Sequence, residues 1–336
     1  MGIAILAIES SCDDTSAAVI IDGQVRSNIV STQTAHANYG GVVPELASRE
    51  HQIHIVPVVD TALKEAGIKK QDLDAVAFTR GPGLLGSLIV GVTFAKSLAL
   101  SLDIPLIDVH HMHAHVLAHF AEDPKPTFPF ICMTVSGGHT QIIKVKSALE
   151  MEILGETLDD AAGEAFDKTG KMLGLPYPAG PLIDKYAKEG VAKYSFPKSQ
   201  VPDLNFSFSG LKTAVMYFLK KETANDPEFI QKELANICAS IQSTIVETLL
   251  EKLQSAIKMT GIKQVAIAGG VAANSGLRDG LFEMAQANNY EAYIPEFQYC
   301  RDNAAMIGIT ANFKFLENRF CGQDVFAEAR IPFDLA

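Results

Sequence analysis

The sequence has few cysteines and no close pair of them. Cys12, Cys132, Cys238, Cys300 and Cys321 are an odd number, widely spread and without a C-x-x-C spacing. Neither a disulfide framework nor a structural zinc site is therefore expected, and reduced thiols fit the cytosol. No apolar run continues uninterrupted for the roughly 20 residues needed to cross a bilayer, and no basic segment followed by a cleavable apolar one opens the chain. The expectation is a cytoplasmic protein without a membrane span. Cations are scarce as well: 28 Lys and Arg against 39 Asp and Glu give a net charge of −11. That excludes a surface made wholly for nucleic acid, though not a local basic strip or a basic partner.

What is present is enough apolar residue for a large core, 48% of 336 residues. This length exceeds the usual size of one core, so two lobes are expected. The stretch from Val109 to His119 holds five of the nine histidines. If it is helical, His111 and His115 lie one turn apart on one face and can reach one ion, and His115 and His119 share that spacing. The run follows an apolar strand-like segment, Ile104 to Asp108, and imidazole is the commonest side-chain metal ligand, so a metal site is expected. A zinc protease of the H-E-x-x-H kind is excluded, because Met112 stands where its general base would be.

The order of elements is expected to repeat. Ile3 to Ile8 reads as a buried strand, Glu9 to Thr15 as a polar turn, and Ala17 to Ile21 as a second strand closed by the hairpin signal Asp22-Gly23. Glu45 to Lys64 has helical spacing, with a kink or break expected at Pro57. A strand (Ala75 to Phe78), a glycine turn (Arg80 to Gly83), a helix (Leu84 to Leu100) and the strand before the histidines complete the first set. Glu122 to Thr127 has the composition of a linker. The second set runs from a strand at Phe130 to Val135 through the turn Ser136 to Thr140 and a returning strand, then helix over Phe229 to Met259. It ends with a strand at Val265 to Ala268, the turn Gly269-Gly270, a helix from Asn274, a strand at Ala292 to Pro295 and a helix over Asn303 to Phe315. A duplicated α/β architecture follows. Two such lobes suggest a cleft in which the Gly137-Gly138 and Gly269-Gly270 turns offer backbone N–H groups to phosphate. The expected boundaries are residues 1–122 for the first lobe, 127–300 for the second with an insertion at about 150–228, and 301–336 for a C-terminal helix and tail.

The insertion interleaves acidic and small residues that cannot form much core. It either makes a solvated helical insert or brings aspartates to bind hydroxyls of a ribose or a small substrate. Its Lys168, Lys171, Lys188, Lys193 and Lys198 are the candidates for contact with nucleic acid, with Lys220-Lys221 next.

Seven stretches, taken together, resemble a known family. They are Ile8 to Thr15, Gly40 to Glu45, His111 to His115, Val135 to Thr140, Asp160 to Asp167, Phe206 to Lys212 and Cys300 to Asn303. In register over nearly the whole chain, they are similar to the motifs of bacterial TsaD, the tRNA adenosine threonylcarbamoyltransferases. The resemblance implies the duplicated fold of actin, sugar kinases and heat-shock chaperones (ASKHA). The implied reaction moves a threonylcarbamoyl group from L-threonylcarbamoyl-AMP to N6 of the adenosine just 3′ of the anticodon, in tRNAs reading codons that begin with A. Carried over, the metal ligands are His111, His115 and Asp302, and the substrate contacts are Thr134, Val135, Ser136, Gly137, Gly138, Asp167, Gly180, Asp184 and Asn274. Asp13 is implied as the catalytic residue near the transferring group. One divalent ion per subunit is implied, with Fe(2+) favoured over Zn(2+), together with a smaller paralogue, TsaB, and a P-loop ATPase, TsaE.

An exocyclic amine is a poor nucleophile, so the carbamoyl carbon must be made electrophilic; two imidazoles and a carboxylate would hold an ion with positions open for this. The chain departs from the family in having His113 where Glu is usual, Asp14 where Glu is common and Arg301 where Thr is common. His113 points away from the face shared by His111 and His115 at helical spacing. Two other readings are a catalytically silent scaffold of the same fold, which predicts loss of the ligands, and an ATP-dependent small-molecule kinase, which predicts no histidine cluster.

Overall fold

The computed structural model describes residues 2–335. Its chain divides into two compact units, residues 1–125 with 147–151 and 295–336, and residues 126–146 with 152–294.

The first unit begins with β1 (Ala4–Glu9), β2 (Asp14–Ile21) and β3 (Gln24–Thr32). The β2–β3 turn places Asp22 and Gly23 at φ 52° and 74°, the left-handed pair that a tight hairpin demands. Helix α1 (Pro44–Glu65) starts with proline in its first turn and runs through Pro57 without a break. Pro57 and Ile53, whose carbonyl loses its partner, are both exposed, so water can satisfy that carbonyl. Then come β4 (Ala75–Gly81), α2 (Leu85–Leu102), β5 (Leu106–His110) and α3 (His111–Leu117). The sheet order is β3-β2-β1-β4-β5, antiparallel on the hairpin side of β1 and parallel on the other. By length and composition α2 alone among the described residues could cross a membrane, which the sequence had not led us to expect. Its Leu88, Val92, Ala95 and Ala99 are buried, and the last three join Val76 and Phe78 of β4 in the core. Gly91 allows close approach to the end of β1, since a Cβ there would sit 2.4 Å from Oγ of Ser10, just after the strand, and 3.5 Å from Ile8 Cγ2.

The second unit repeats this plan with β6 (Phe130–Val135), β7 (Thr140–Ser147) and β8 (Glu150–Glu156). It continues with α4 (Ala162–Met172), α5 (Gly180–Ala187), α6 (Ser209–Asn225), α7 (Phe229–Thr260), β9 (Gln264–Ala268), α8 (Ser275–Asn288) and β10 (Glu291–Tyr293). Its sheet order, β8-β7-β6-β9-β10, matches the first strand for strand. The inserted segment is more apolar inside than its composition suggested: Phe166, Phe206 and Phe208 are among the largest buried side chains. Both glycine turns lie in this unit, after the neighbouring parallel strands β6 and β9. The short α9 (Phe297–Cys300) and α10 (Ala304–Leu316) belong to the first unit, where α10 packs on β1 and β2.

Candidate metal centre and substrate residues

In the first unit, β5 delivers the chain directly into α3. His110 caps that helix by accepting the Met112 N–H at 3.2 Å on Nδ1. All seven residues of α3 are buried, so its imidazoles have left bulk water. Spacing by four brings the His111 and His115 rings to 4.7 Å, nearly perpendicular. Asp302 comes from the segment before α10, whose start is pinned by the Ser16 hydroxyl on Ala304 N at 2.8 Å and Asn28 Oδ1 on Ala305 N at 3.1 Å. Asp302 Oδ1 lies 3.5 Å from His111 Nε2 and 3.2 Å from His115 Nε2. The three ligand atoms fall within 4.8 Å of one another. Bonds of about 2 Å at roughly tetrahedral angles put donors about 3.3 Å apart, so this donor set fits a divalent ion.

Behind His111 stands Glu9, at the end of the apolar strand β1 and buried. Glu9 Oε2 accepts His111 Nδ1–H at 3.1 Å and the Thr79 hydroxyl at 2.6 Å, while Oε1 accepts the Ser11 N–H. Burial opposes a charge on His111, yet Asp302 and Glu9 outweigh it and raise the imidazole to about 9. The same contacts, against burial, hold Glu9 and Asp302 below the usual carboxylate range, with His115 and Arg301 adding to the effect on Asp302. His113 lies outside this cluster, and burial pushes it down to about 4. Asp13 occupies the turn between β1 and β2, where its carbonyl accepts the Gln33 N–H at 3.3 Å. Burial raises the neighbouring Asp14 to about 6 despite the Arg301 guanidinium 3.3 Å away. Two departures from the family's motifs thus touch each other.

The nine expected substrate residues all lie in the second unit. Thr134 and Val135 are the buried last residues of β6, so only their backbone could meet a ligand. In the following turn Ser136 N donates to His139 O at 2.8 Å, and no heavy atom lies within 4 Å of where a Cβ on Gly137 or Gly138 would be. The start of α4 abuts this turn, with Gly163 N donating to Ser136 O at 3.1 Å. Asp167 Oδ1 accepts the N–H groups of Ala179 at 2.8 Å and Gly180 at 3.3 Å. Asp184 accepts both the N–H and the hydroxyl of Ser275, at 3.1 and 2.6 Å. Asn274 caps α8 through Leu277 N and donates to Gln242 Oε1 at 2.7 Å. Two open glycines therefore sit by the first turn of α4, and two anchored aspartates lie on α4 and α5. Sequence reasoning missed Glu9, Thr79, Gln242 and Ser275; the one available signal was a carboxylate ending an apolar run.

The family model for TsaD, tRNA N6-adenosine threonylcarbamoyltransferase, matches residues 24–309. The chain belongs to the TsaD family. The enzyme of that name from Christiangramia forsetii is 61% identical over 333 residues, 98% of each chain. The one from Cytophaga hutchinsonii is 59% identical over 332 residues, 98% of this chain and 97% of the relative. Among solved structures, T. kodakarensis HypF superposes with a TM-score of 0.63 at 14% identity, over 96% of this chain and 49% of that one. That likeness concerns the fold, which is the duplicated ASKHA fold read from the two matching sheets. As a TsaD the protein is a tRNA-modifying transferase, and the silent scaffold and the kinase are not favoured.

Proposed function

We propose that the two sets of residues divide the threonylcarbamoyl transfer between them. His111, His115 and Asp302 hold a divalent ion, and the observation that carries this is the convergence of their three donor atoms; the donor set suits Fe(2+) and Zn(2+) alike, and the preference for Fe(2+) rests on the resemblance to the family. When bound, the ion supplies Lewis acidity toward an acyl oxygen. Asp302 gives the set one negative charge, while the imidazoles bind as neutral ligands. The open turn at Gly137-Gly138 takes the phosphate of threonylcarbamoyl-AMP, since backbone N–H groups at glycine can approach an anion closely. Asp167 and Asp184 suit the ribose hydroxyls, because each is already fixed by donors on one side. N6 of the tRNA adenosine forms a bond to the carbamoyl carbon, the bond from that carbon to the phosphate oxygen breaks, and AMP leaves. The nitrogen becomes strongly acidic on attack, so the Asp13 carboxylate suffices to take its proton.

We place the reaction in the cytoplasm, where tRNA is available, with TsaB and TsaE as partners. The test is metal analysis of anaerobically purified protein together with AMP release on unmodified tRNA. His111→Ala, His115→Ala and Asp302→Ala should each lose bound metal and AMP release while retaining the fold. Retention of metal in all three would refute the assignment.

A further inference from the structure

Beyond its ligand pair, α3 and its N-cap carry two histidines, His113 and His110, that the proposed reaction leaves without a task. His113 Nε2 lies 2.8 Å from the Phe333 carbonyl oxygen, so the ring donates there, and His110 Nε2 lies 3.4 Å from the Ile331 carbonyl oxygen. The Phe333 ring meets His113 edge-on at 4.4 Å and His110 at 5.6 Å. The segment that brings Phe333 here is tied down along its length within the first unit. Cys321 N donates to Leu106 O at 2.9 Å, Lys96 Nζ to Val325 O at 2.9 Å, Glu328 N to Arg80 O at 2.9 Å and Gly83 N to Ala329 O at 3.2 Å. An ion pair between Arg80 and Glu328 reinforces it.

We propose that His113 is a positioning residue, latched with Phe333 so that the C-terminal segment fixes the rotation of α3 and aims His111 and His115 at Asp302. The inference rests on the metal reading above. A helix of seven residues has too few internal hydrogen bonds to hold its own orientation, so packing must set it. At a side-chain radius of about 5–6 Å, a rotation of about 10° moves a ring nitrogen by about 1 Å. Metal–ligand distances tolerate only about 0.2 Å. Glu9 restrains one side of the helix through His111, and the Phe333 latch restrains another. Because its Nε2 must carry hydrogen toward a carbonyl, His113 does not compete for the ion through that atom.

The test is affinity for Zn2+ alone, by competition with a chelator, together with amide exchange over Met112 to Leu117. His113→Glu turns an acceptor toward the Phe333 carbonyl and Phe333→Ala removes the ring; each should weaken Zn2+ binding about tenfold and speed exchange on α3. His113→Gln keeps an N–H for the carbonyl and should stay within about twofold of wild type. His111→Ala and His115→Ala are run beside them. If those two lose Zn2+ while His113→Glu and Phe333→Ala bind it like wild type, the latch is refuted alone. Should all four bind normally, the metal reading falls and the latch with it. Phe333→Ala decides the matter if His113→Glu does not fold.

Discussion

Glu9 and His111 are 102 residues apart in the chain and share a hydrogen bond of 3.1 Å, carboxylate to Nδ1–H. The bond fixes the tautomer that leaves Nε2 free for an ion on the side of Asp302, as carboxylates behind metal-bound histidines generally do. Glu9→Gln keeps the shape and removes the charge. It should lower metal affinity by about 10–100-fold, as read by chelator competition, with little change in how tightly the adenylate binds. Wild-type metal affinity in that variant would remove Glu9 from the centre.

On the proposed ligand assignment, proton and metal compete for His111. Its pKa of about 9 lies above the free imidazole value, because Asp302 and Glu9 outweigh burial. In the metal-free protein the stabilisation from this charge is full below about 6.5, the unperturbed histidine value. It is lost as pH rises through 9. A metal needs the bare Nε2, so apparent affinity should climb with pH and level off above about 9. In Glu9→Gln the plateau should arrive at lower pH, since one of two stabilising carboxylates is gone. Titrations of Zn2+ affinity across pH 6 to 10 check this, and an affinity that does not vary with pH would contradict it.

The closeness of His111 and His115 could be read from the sequence because a spacing of four is a local property of a helix. The duplication could be read because turn glycines and apolar runs recur in order, and the matching sheet orders bear it out. The partners that orient the site could not, since Glu9 and Phe333 reach α3 only through the sheet and the returning C-terminal segment. The insertion was misjudged for a different reason. Ala165, Phe166, Thr169 and Gly170 form a buried face at helical spacing on α4, but the aspartates and glycines around them dominated the composition.

Two glycines at the same end of the neighbouring parallel strands β6 and β9 should respond oppositely to substitution. Gly138 has open space around a Cβ and no left-handed backbone, so Gly138→Val should leave the melting temperature nearly unchanged and weaken binding of a non-hydrolysable adenylate analogue. Gly269 has φ 87°, and a Cβ there would lie 2.5 Å from the Val135 carbonyl oxygen. Gly269→Ala should therefore cost about 1–3 kcal/mol of stability. Calorimetry of binding and of unfolding separates the two. An unchanged affinity in Gly138→Val would reduce that turn to a connection.

Contact with tRNA is where the structure most changes the expectation from sequence. Lys168 pairs with Asp160 and Glu164 at 2.7 and 2.6 Å, Lys193 with Glu233 at 2.6 Å, and Lys198 with Glu247 and Glu251 at 2.7 and 2.6 Å. Lys188 lies 3.6 Å from Asp184. To bind a phosphate, each of these must share its charge with a carboxylate that stays nearby and repels the RNA, so its net gain is small. Lys171, Lys220 and Lys221 are exposed, and Lys221 lies 3.7 Å from its chain neighbour Glu222. Replacing Lys171, Lys220 and Lys221 by Gln should flatten the dependence of log affinity on log salt by about two units, near the limit for three lost phosphate contacts. The same change at Lys168, Lys193 and Lys198 should shift the slope by less than about one. The measurement is tRNA affinity against salt for both triple variants with TsaB and TsaE present. A larger effect from the paired set would show that the RNA displaces those carboxylates and lies along their side of the second unit.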